Sequence, residues 1–345
     1  MDLALLDREI QTCCAREGFS GVIRVTEKDR VVYQQYIGFD HHGEKRPFTG
    51  DSMFTLYSMS KPFCAIGLLL LADKGLVDID KHPGVYLPEA AGFDPRVTIR
   101  QMLQHVSGLP DFHCIPEFVG APPKDHHTNI RHYLKQLTAY PQYFAPGQGD
   151  RYSNINFTIS ALMIENVTGM CYSDYMEKAV FAPMGAKTLV VDREGLEIPN
   201  RVQGYRVDDD GREEPTEKSY PWMLGGGDLV GRVEDVYCLN TVIKHKMLLK
   251  PETWEQVLTP HPLNNKGFGC TVTDWHGLRR VTHNGGHRGF RSFHVYVPET
   301  DLDLIILSNT GYGNARQPIL EAVYRAFYDA GAAEEKPMEL DYGLV

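Results

Sequence analysis

The chain reads as an α+β protein: an antiparallel sheet flanked by N- and C-terminal helices, with an all-helical domain inserted into it. Three observations predict this. Strand-like runs gather towards the two ends, the long middle stretch is helical and punctuated by Pro and Gly, and a helix-like segment stands near each terminus. On this reading residues 1–75 and 200–345 make one discontinuous α/β domain and residues 76–199 a mainly helical one.

The elements follow in order. "MDLALLDREIQTCCAREGF" has the spacing of an amphipathic helix, without the basic start or unbroken apolar core of a signal peptide. "GFSGVIRVTEKDRVVYQQYIGF" is a hairpin whose β-rich halves are broken by the charged turn Glu27 to Arg30. Pro62 to Lys74 is a helix that Gly75 can end. From Leu76 to Asp192 helices and loops alternate; "NFTISALMIENVTG" (Asn156 to Gly169) is a buried helix with a glycine stop, and Ser173 to Gly185 is a shorter one. After about residue 200 the texture becomes strand-rich. "LRRVTH", "RSFHVYVP" and "LDLIILSNT" are three successive strands, followed by a helix from Gln317 to Gly331. The first and last helices would cover the sheet.

Composition narrows the function classes. The 345 residues are 42% hydrophobic and 23% charged, ordinary values for a soluble globular chain. A net charge of −10 disfavours nucleic acid and anionic membrane as partners. The longest apolar stretch, around Ile66 to Ala72, is too short to span a bilayer. Seven cysteines, two of them adjacent and none in a C-x-x-C pair, suit a reduced cytoplasmic protein without a disulfide framework or structural zinc.

Three short patterns carry candidate chemistry. Ser58-x-x-Lys61 opens the apolar helix. One such pair is expected by chance in a chain this long, and a serine cap with a solvated lysine is its bland reading. Spacing by three puts both side chains on one face, where the lysine can reach the hydroxyl. Lysine is then a useful base only if burial or a neighbouring cation lowers its pKa. Pro62 disfavours a regular helix at Lys61, so an irregular or 3₁₀ first turn is expected.

Tyr152-Ser153-Asn154 lies on a loop before the buried helix. It is either a packing turn or a phenol placed to shuttle protons beside an orienting amide. The pattern recurs at Tyr312-Gly313-Asn314. His-x-Gly occurs four times, at His41, His82, His283 and His287. His283 opens "HNGGHRGF", where glycines let a ligand approach a strand edge and a backbone N–H can serve an oxyanion. His283 and His287 lack an obvious third ligand, so metal binding ranks below this.

In this order Ser58-x-x-Lys61, Tyr152-x-Asn154 and His283-x-Gly285 resemble the three signature motifs of the serine β-lactamase and penicillin-binding-protein superfamily. The likeness is strongest to its class C-like branch of esterases, D-aminopeptidases and D-alanyl-D-alanine carboxypeptidases. It spans almost the whole chain, with support from "VTIRQMLQHVSGLPDF", "YSNINFTISALMIENVTG", "FAPMGAKTL" and "GGGDLVGRVEDVYCLN".

The resemblance implies a β-lactamase-like fold with the site in the cleft between the domains. It implies a serine hydrolase acting through an acyl-enzyme on small esters, amides or short D-configured peptides. Ser58 would be the nucleophile, Lys61 and Tyr152 would share general-base work, and Tyr152 would return a proton to the leaving group. Asn154, His283 and Gly285 would bind substrate, and the N–H groups of Ser58 and Gly286 would form the oxyanion hole. No metal or other cofactor is implied. His283 stands where true β-lactamases carry lysine, which favours esterase or amidopeptidase action. Arg288 either restores anion recognition through its fork or makes a surface ion pair. Acyl transfer, weak β-lactamase action and a catalytically idle ligand-binding member are the alternatives, and self-association is left open.

Overall fold

A computed structural model describes residues 2–120, 129–208, 210–216, 223–311 and 314–328. The helices used below are α1 (Leu3–Glu17), α2 (Ser60–Asp73), α3 (Ile155–Thr168), α4 (Val233–His245) and α5 (Arg316–Tyr328). The strands are β1 (Gly21–Glu27), β2 (Arg30–Ile37), β3 (Thr271–Trp275), β4 (Leu278–His287), β5 (Phe290–Val297) and β6 (Leu302–Ser308). They form one six-stranded antiparallel sheet in the order β3-β4-β5-β6-β1-β2. The chain therefore leaves the sheet after β2 and returns at β3, so the first hairpin joins the last strands through β1 and β6.

The β1–β2 turn is tight because Lys28 and Asp29 both adopt positive φ (50° and 61°), as a two-residue turn matched to strand twist requires. α1 and α5 pack together on one face of the sheet, in a core that includes Leu6, Ile10, Val295, Leu304, Ile319 and Val323. This is the cover expected from the terminal segments. The part of the expected last helix after residue 328 lies outside the described residues.

The other face meets a second, larger core built around α2 and α3, which pack side by side. Both are apolar almost all round, as helices surrounded by protein must be. α2 begins at Ser60, two residues before the expected start. Pro62 falls in its first turn, where a missing N–H costs no intrahelical bond. Gly75, at φ 72°, closes the helix: its N–H donates to Ala72 O and the Leu76 N–H to Leu71 O. Gly169 ends α3 in the same left-handed conformation.

Three local expectations change. The segment after Ser173 is a short α-turn (Tyr172–Met176), then a π-turn (Glu177–Phe181), then a closing turn ended by Gly185. The strand-rich region after residue 200 also holds α4 and a second helix, Pro251–Val257. In α4 the buried Val233, Val236, Leu239, Val242 and Ile243 recur at helical spacing. Finally, "TVTDW" adds strand β3, which pairs with β4 only as far as Thr271–Thr282. From His283 onward β4 therefore has a strand partner on one side only, among the described residues.

Candidate active site

Ser58 stands in a 3₁₀ turn, Tyr57–Met59, directly before α2. The expected irregular turn is thus present, and it is held from several sides. Ser60 Oγ donates to Tyr57 O at 2.7 Å and accepts from Leu229 N–H at 3.0 Å. Leu56 N–H donates to Leu229 O at 2.8 Å, and Leu56 O accepts from Ser292 Oγ on β5 at 2.6 Å. Tyr57 is bent into the left-handed region (φ 49°) between these anchors, which leaves Ser58 half-buried at the turn. Such a conformation is costly for a bulky residue and persists only where its surroundings hold it.

The free stretch of β4 runs against this turn. A Cβ at Gly285 would lie 2.1 Å from Leu56 O and 2.9 Å from Ser58 N, so only glycine fits. Gly286 follows on the opposite, exposed side of the strand.

Lys61 lies one turn beyond Ser58 and is completely buried. Its Nζ donates to Ser58 Oγ at 2.9 Å, Asn154 Oδ1 at 2.8 Å and Gly226 O at 2.6 Å, which uses all three ammonium protons. Burial pushes its pKa down to about 7, and the nearby Asp111 and Asp228 carboxylates resist the fall. The lysine therefore changes charge near neutral pH while touching the serine hydroxyl.

Tyr152 lies over the same ammonium, with Nζ 4.8 Å from its ring centre. Its other neighbour is His105, stacked at 4.4 Å. The phenol oxygen is buried and makes no hydrogen bond of normal geometry, although Ser58 is near enough to offset part of the burial that raises its pKa. Tyr152 thus keeps its proton at neutral pH. His283 faces Tyr152 at 6.5 Å between ring centres, and its Nδ1 bonds the Asn284 carbonyl at 2.7 Å. That contact puts the proton on Nδ1 and leaves Nε2 as an acceptor. Burial first, then Lys61 and Lys266, hold the ring neutral.

Two residues that carried no assigned role in the sequence build the Tyr152–Asn154 loop. Asp111 Oδ2 accepts from Asn154 N–H at 2.7 Å, Ser153 Oγ at 3.2 Å and Ile155 N–H at 3.4 Å. It caps α3 from outside, so the Asn154 side chain is spared for Lys61. His105, itself at φ 59°, accepts the Ser153 N–H on Nδ1 at 3.1 Å. Both sit in the quoted "QHVSGLPDF" block; a remote cap leaves no spacing signal that would have marked them. Gly226, the third acceptor of Lys61, was equally hidden, because a backbone carbonyl has no residue signature.

The structure thus brings together Ser58, Lys61, Tyr152, Asn154, His283 and Gly285. Among the described residues no hydrogen bond joins Arg288 to these side chains. Arg288 shares the β4–β5 hairpin turn with Gly289 (φ 38° and 85°), and its Nε donates to His287 Nε2 at 3.2 Å. The second Tyr-x-Asn pattern has Tyr312 and Gly313 outside the described residues. Among the described residues no group of three or more His, Cys, Asp or Glu could hold a metal ion, and no helix is long and apolar enough to cross a membrane.

The beta-lactamase family model matches residues 6–327. The chain belongs to the beta-lactamase family. Within it, the chain is 28% identical over 322 residues to penicillin-binding protein 4* of Bacillus subtilis, covering 87% of this chain and 70% of that protein. It is 25% identical over 318 residues to a D-aminopeptidase of Cereibacter sphaeroides, covering 90% of this chain and 60% of the relative's length. The fold is that of a penicillin-binding protein from Bacillus halodurans, with a TM-score of 0.82 at 22% identity, covering 92% of this chain and all of the other. As a beta-lactamase-family chain with a serine and a buried lysine in contact, the protein is an enzyme of the serine hydrolase class.

Proposed function

We propose that the protein hydrolyses small esters, amides or short, D-configured peptides through an acyl-enzyme on Ser58. One observation carries the reading: a fully buried lysine with a pKa near 7 donates to the Ser58 hydroxyl at 2.9 Å. In its neutral form Lys61 takes the Ser58 proton as Oγ bonds to the substrate carbonyl carbon. The N–H groups of Ser58 and Gly286 receive the oxyanion. Tyr152, kept protonated by burial, gives its proton to the departing amine or alcohol and is restored by Lys61. Water then attacks the acyl group by the reverse proton path. Asn154 and His283 orient the substrate, and His283 brings no positive charge to it. Arg288, bound to His287, has no part in this step. The D-aminopeptidase relative supports amide substrates, and a cytoplasmic location belongs to the same proposal.

Intact-mass measurement after incubation with activated esters, D-amino acid amides and a penicillin tests the reading. The expected result is a single acyl adduct on the wild-type chain and none on Ser58→Ala. Acylation should rise with pH through about 7 as Lys61 loses its proton. An adduct that survives Ser58→Ala would exclude this mechanism.

A further inference from the structure

Lys61 leans on a carbonyl whose position needs its own explanation. Gly226 belongs to the turn Gly225–Gly227, where the N–H groups of Gly226 and Gly227 both donate to Met223 O at 2.8 Å. The remaining N–H, that of Gly225, donates at 2.7 Å to Oδ2 of Asp228, which is 1% exposed. The turn is wedged in place: a Cβ at Gly225 would lie 2.7 Å from Phe157 O and 2.9 Å from Cys64 Sγ. Asp228 Oδ1 is buried with no hydrogen-bond partner. An ionised carboxylate left this way is expensive, unless a nearby cation or a proton satisfies it.

We propose that Asp228 is a positioning residue of the candidate active site: through Gly225 it fixes the Gly226 carbonyl on Lys61, and its negative charge favours the Lys61 ammonium. The proposal rests on the reading of Lys61 as the base of an acyl-enzyme mechanism.

The electrostatics agree with this geometry. Burial, then Asp192, raise the Asp228 carboxyl, while the N–H of Gly225, its own N–H and Lys61 pull it back, to about 7. Lys61 falls to about the same value. Each charge bears on the other: Asp228 favours the Lys61 ammonium, and Lys61 favours the Asp228 carboxylate. Other groups facing them are Asp111, Cys64 and Lys266 around Lys61, and Tyr172 with Cys64 around Asp228. Asp192 is neutralised by Arg201 at 2.5 Å. Asp228 thus loses its own proton in the range where Lys61 must lose its proton.

Asp228→Asn tests this, because the amide oxygen can still accept the Gly225 N–H while the charge is gone. Without that charge the ammonium is less favoured. The acid limb of Ser58 acylation should move to lower pH by roughly half a unit to one unit, with the high-pH plateau kept within severalfold. Asp228→Ala, which also loses the acceptor, should lower the plateau itself. An Asp228→Asn limb that superimposes on the wild type overturns the proposal, whatever its height.

Thermal unfolding gives a readout independent of turnover. A raised carboxyl keeps its proton in the native state after the unfolded chain has lost it. Its contribution to stability is therefore full below about pH 4 and falls as pH rises to about 7. Asp228→Asn should gain on the wild type across that window. In a Lys61→Met background the window should extend to higher pH, since the cation that holds Asp228 down is removed. An unchanged window would overturn the coupling even if no acyl adduct forms, whereas an adduct on Ser58→Ala with the window moved would overturn only the acyl-enzyme reading.

Discussion

The two faces of the six-stranded sheet are both covered, but by opposite kinds of side chain. Towards α1 and α5 the strands present mainly apolar side chains, Ile23, Val25, Phe293, Val295, Val297, Leu302, Leu304 and Ile306, with Arg280 and Ser308 as buried polar exceptions. Towards α4 and the Ser58 turn they present Val22, Val281, Ile305 and Leu307, but also Arg24, Thr26, His283, Ser292, His294 and Asp303, all buried. The apolar face requires only area and fit. Each polar group on the other face needs a partner, and the partners decide what it can do. Ser292 has one in Leu56 O and so anchors the Ser58 turn. His294 has half of one: Nδ1 meets Asn240 Oδ1 at 2.9 Å, while its Nε2, Asn240 Nδ2 and Asp303 Oδ1 make no hydrogen bond.

If the comparison is right, the two faces fail differently. Leu304→Ala opens a cavity in the apolar face, where Leu304 is 1% exposed. Such a truncation costs about 2–5 kcal/mol. Chemical denaturation should show that loss with Ser58 acylation by an activated ester unchanged. A matching fall in acylation rate would mean that the apolar face also sets the site.

Gly285→Ala is the converse, one carbon added on the polar face. Its Cβ would press on Leu56 O at 2.1 Å, so the Ser58 turn or β4 must shift. Overpacking of this sort costs about 1–3 kcal/mol. Because a displacement of about 1 Å in a reacting group costs about 10²-fold in rate, acylation should fall at least that far. Wild-type acylation kinetics in this variant would show that β4 does not fix Ser58.

The same contrast explains what was legible in the sequence. Period-two and 3.6-period apolar patterns announce elements whose only task is burial, so the first hairpin, α1, α3 and the last three strands were readable. Glycine stops at Gly75 and Gly169 were readable because only a left-handed residue closes those helices. The site was readable where side chains carry it, at Ser58, Lys61, Tyr152, Asn154 and His283. It was opaque where backbone or remote caps carry it: the Gly226 carbonyl, Asp111 beneath α3, and His105 under the Tyr152 loop. The sequence leaves Arg288 between anion recognition through its fork and a surface ion pair; in the fold its Nε donates to His287 Nε2 in the hairpin turn.

The subtlest test concerns the polar groups of this face that lie away from Ser58. Asp303 is buried, and burial, then Asp301, raise its carboxyl to about 8 against the pull of Asn240 and Lys244. The sign follows from where the proton sits. Below about pH 4 native and unfolded chains both hold it; between about 4 and 8 only the native chain does, so this group's contribution to stability declines with rising pH. Above about 8 both have lost it and the decline stops. Asp303→Asn abolishes the titration and keeps the shape. Its unfolding free energy should gain on the wild type through that window, at a slope no steeper than ~1.4 kcal/mol per pH unit, and run parallel beyond it. Ser58 acylation should keep its pH profile, because Asp303 acts on the His294–Asn240 pair and not on Lys61. A shift of the acylation limb would instead join the two polar clusters into one titrating unit, and the polar face would then have to be treated as a single site.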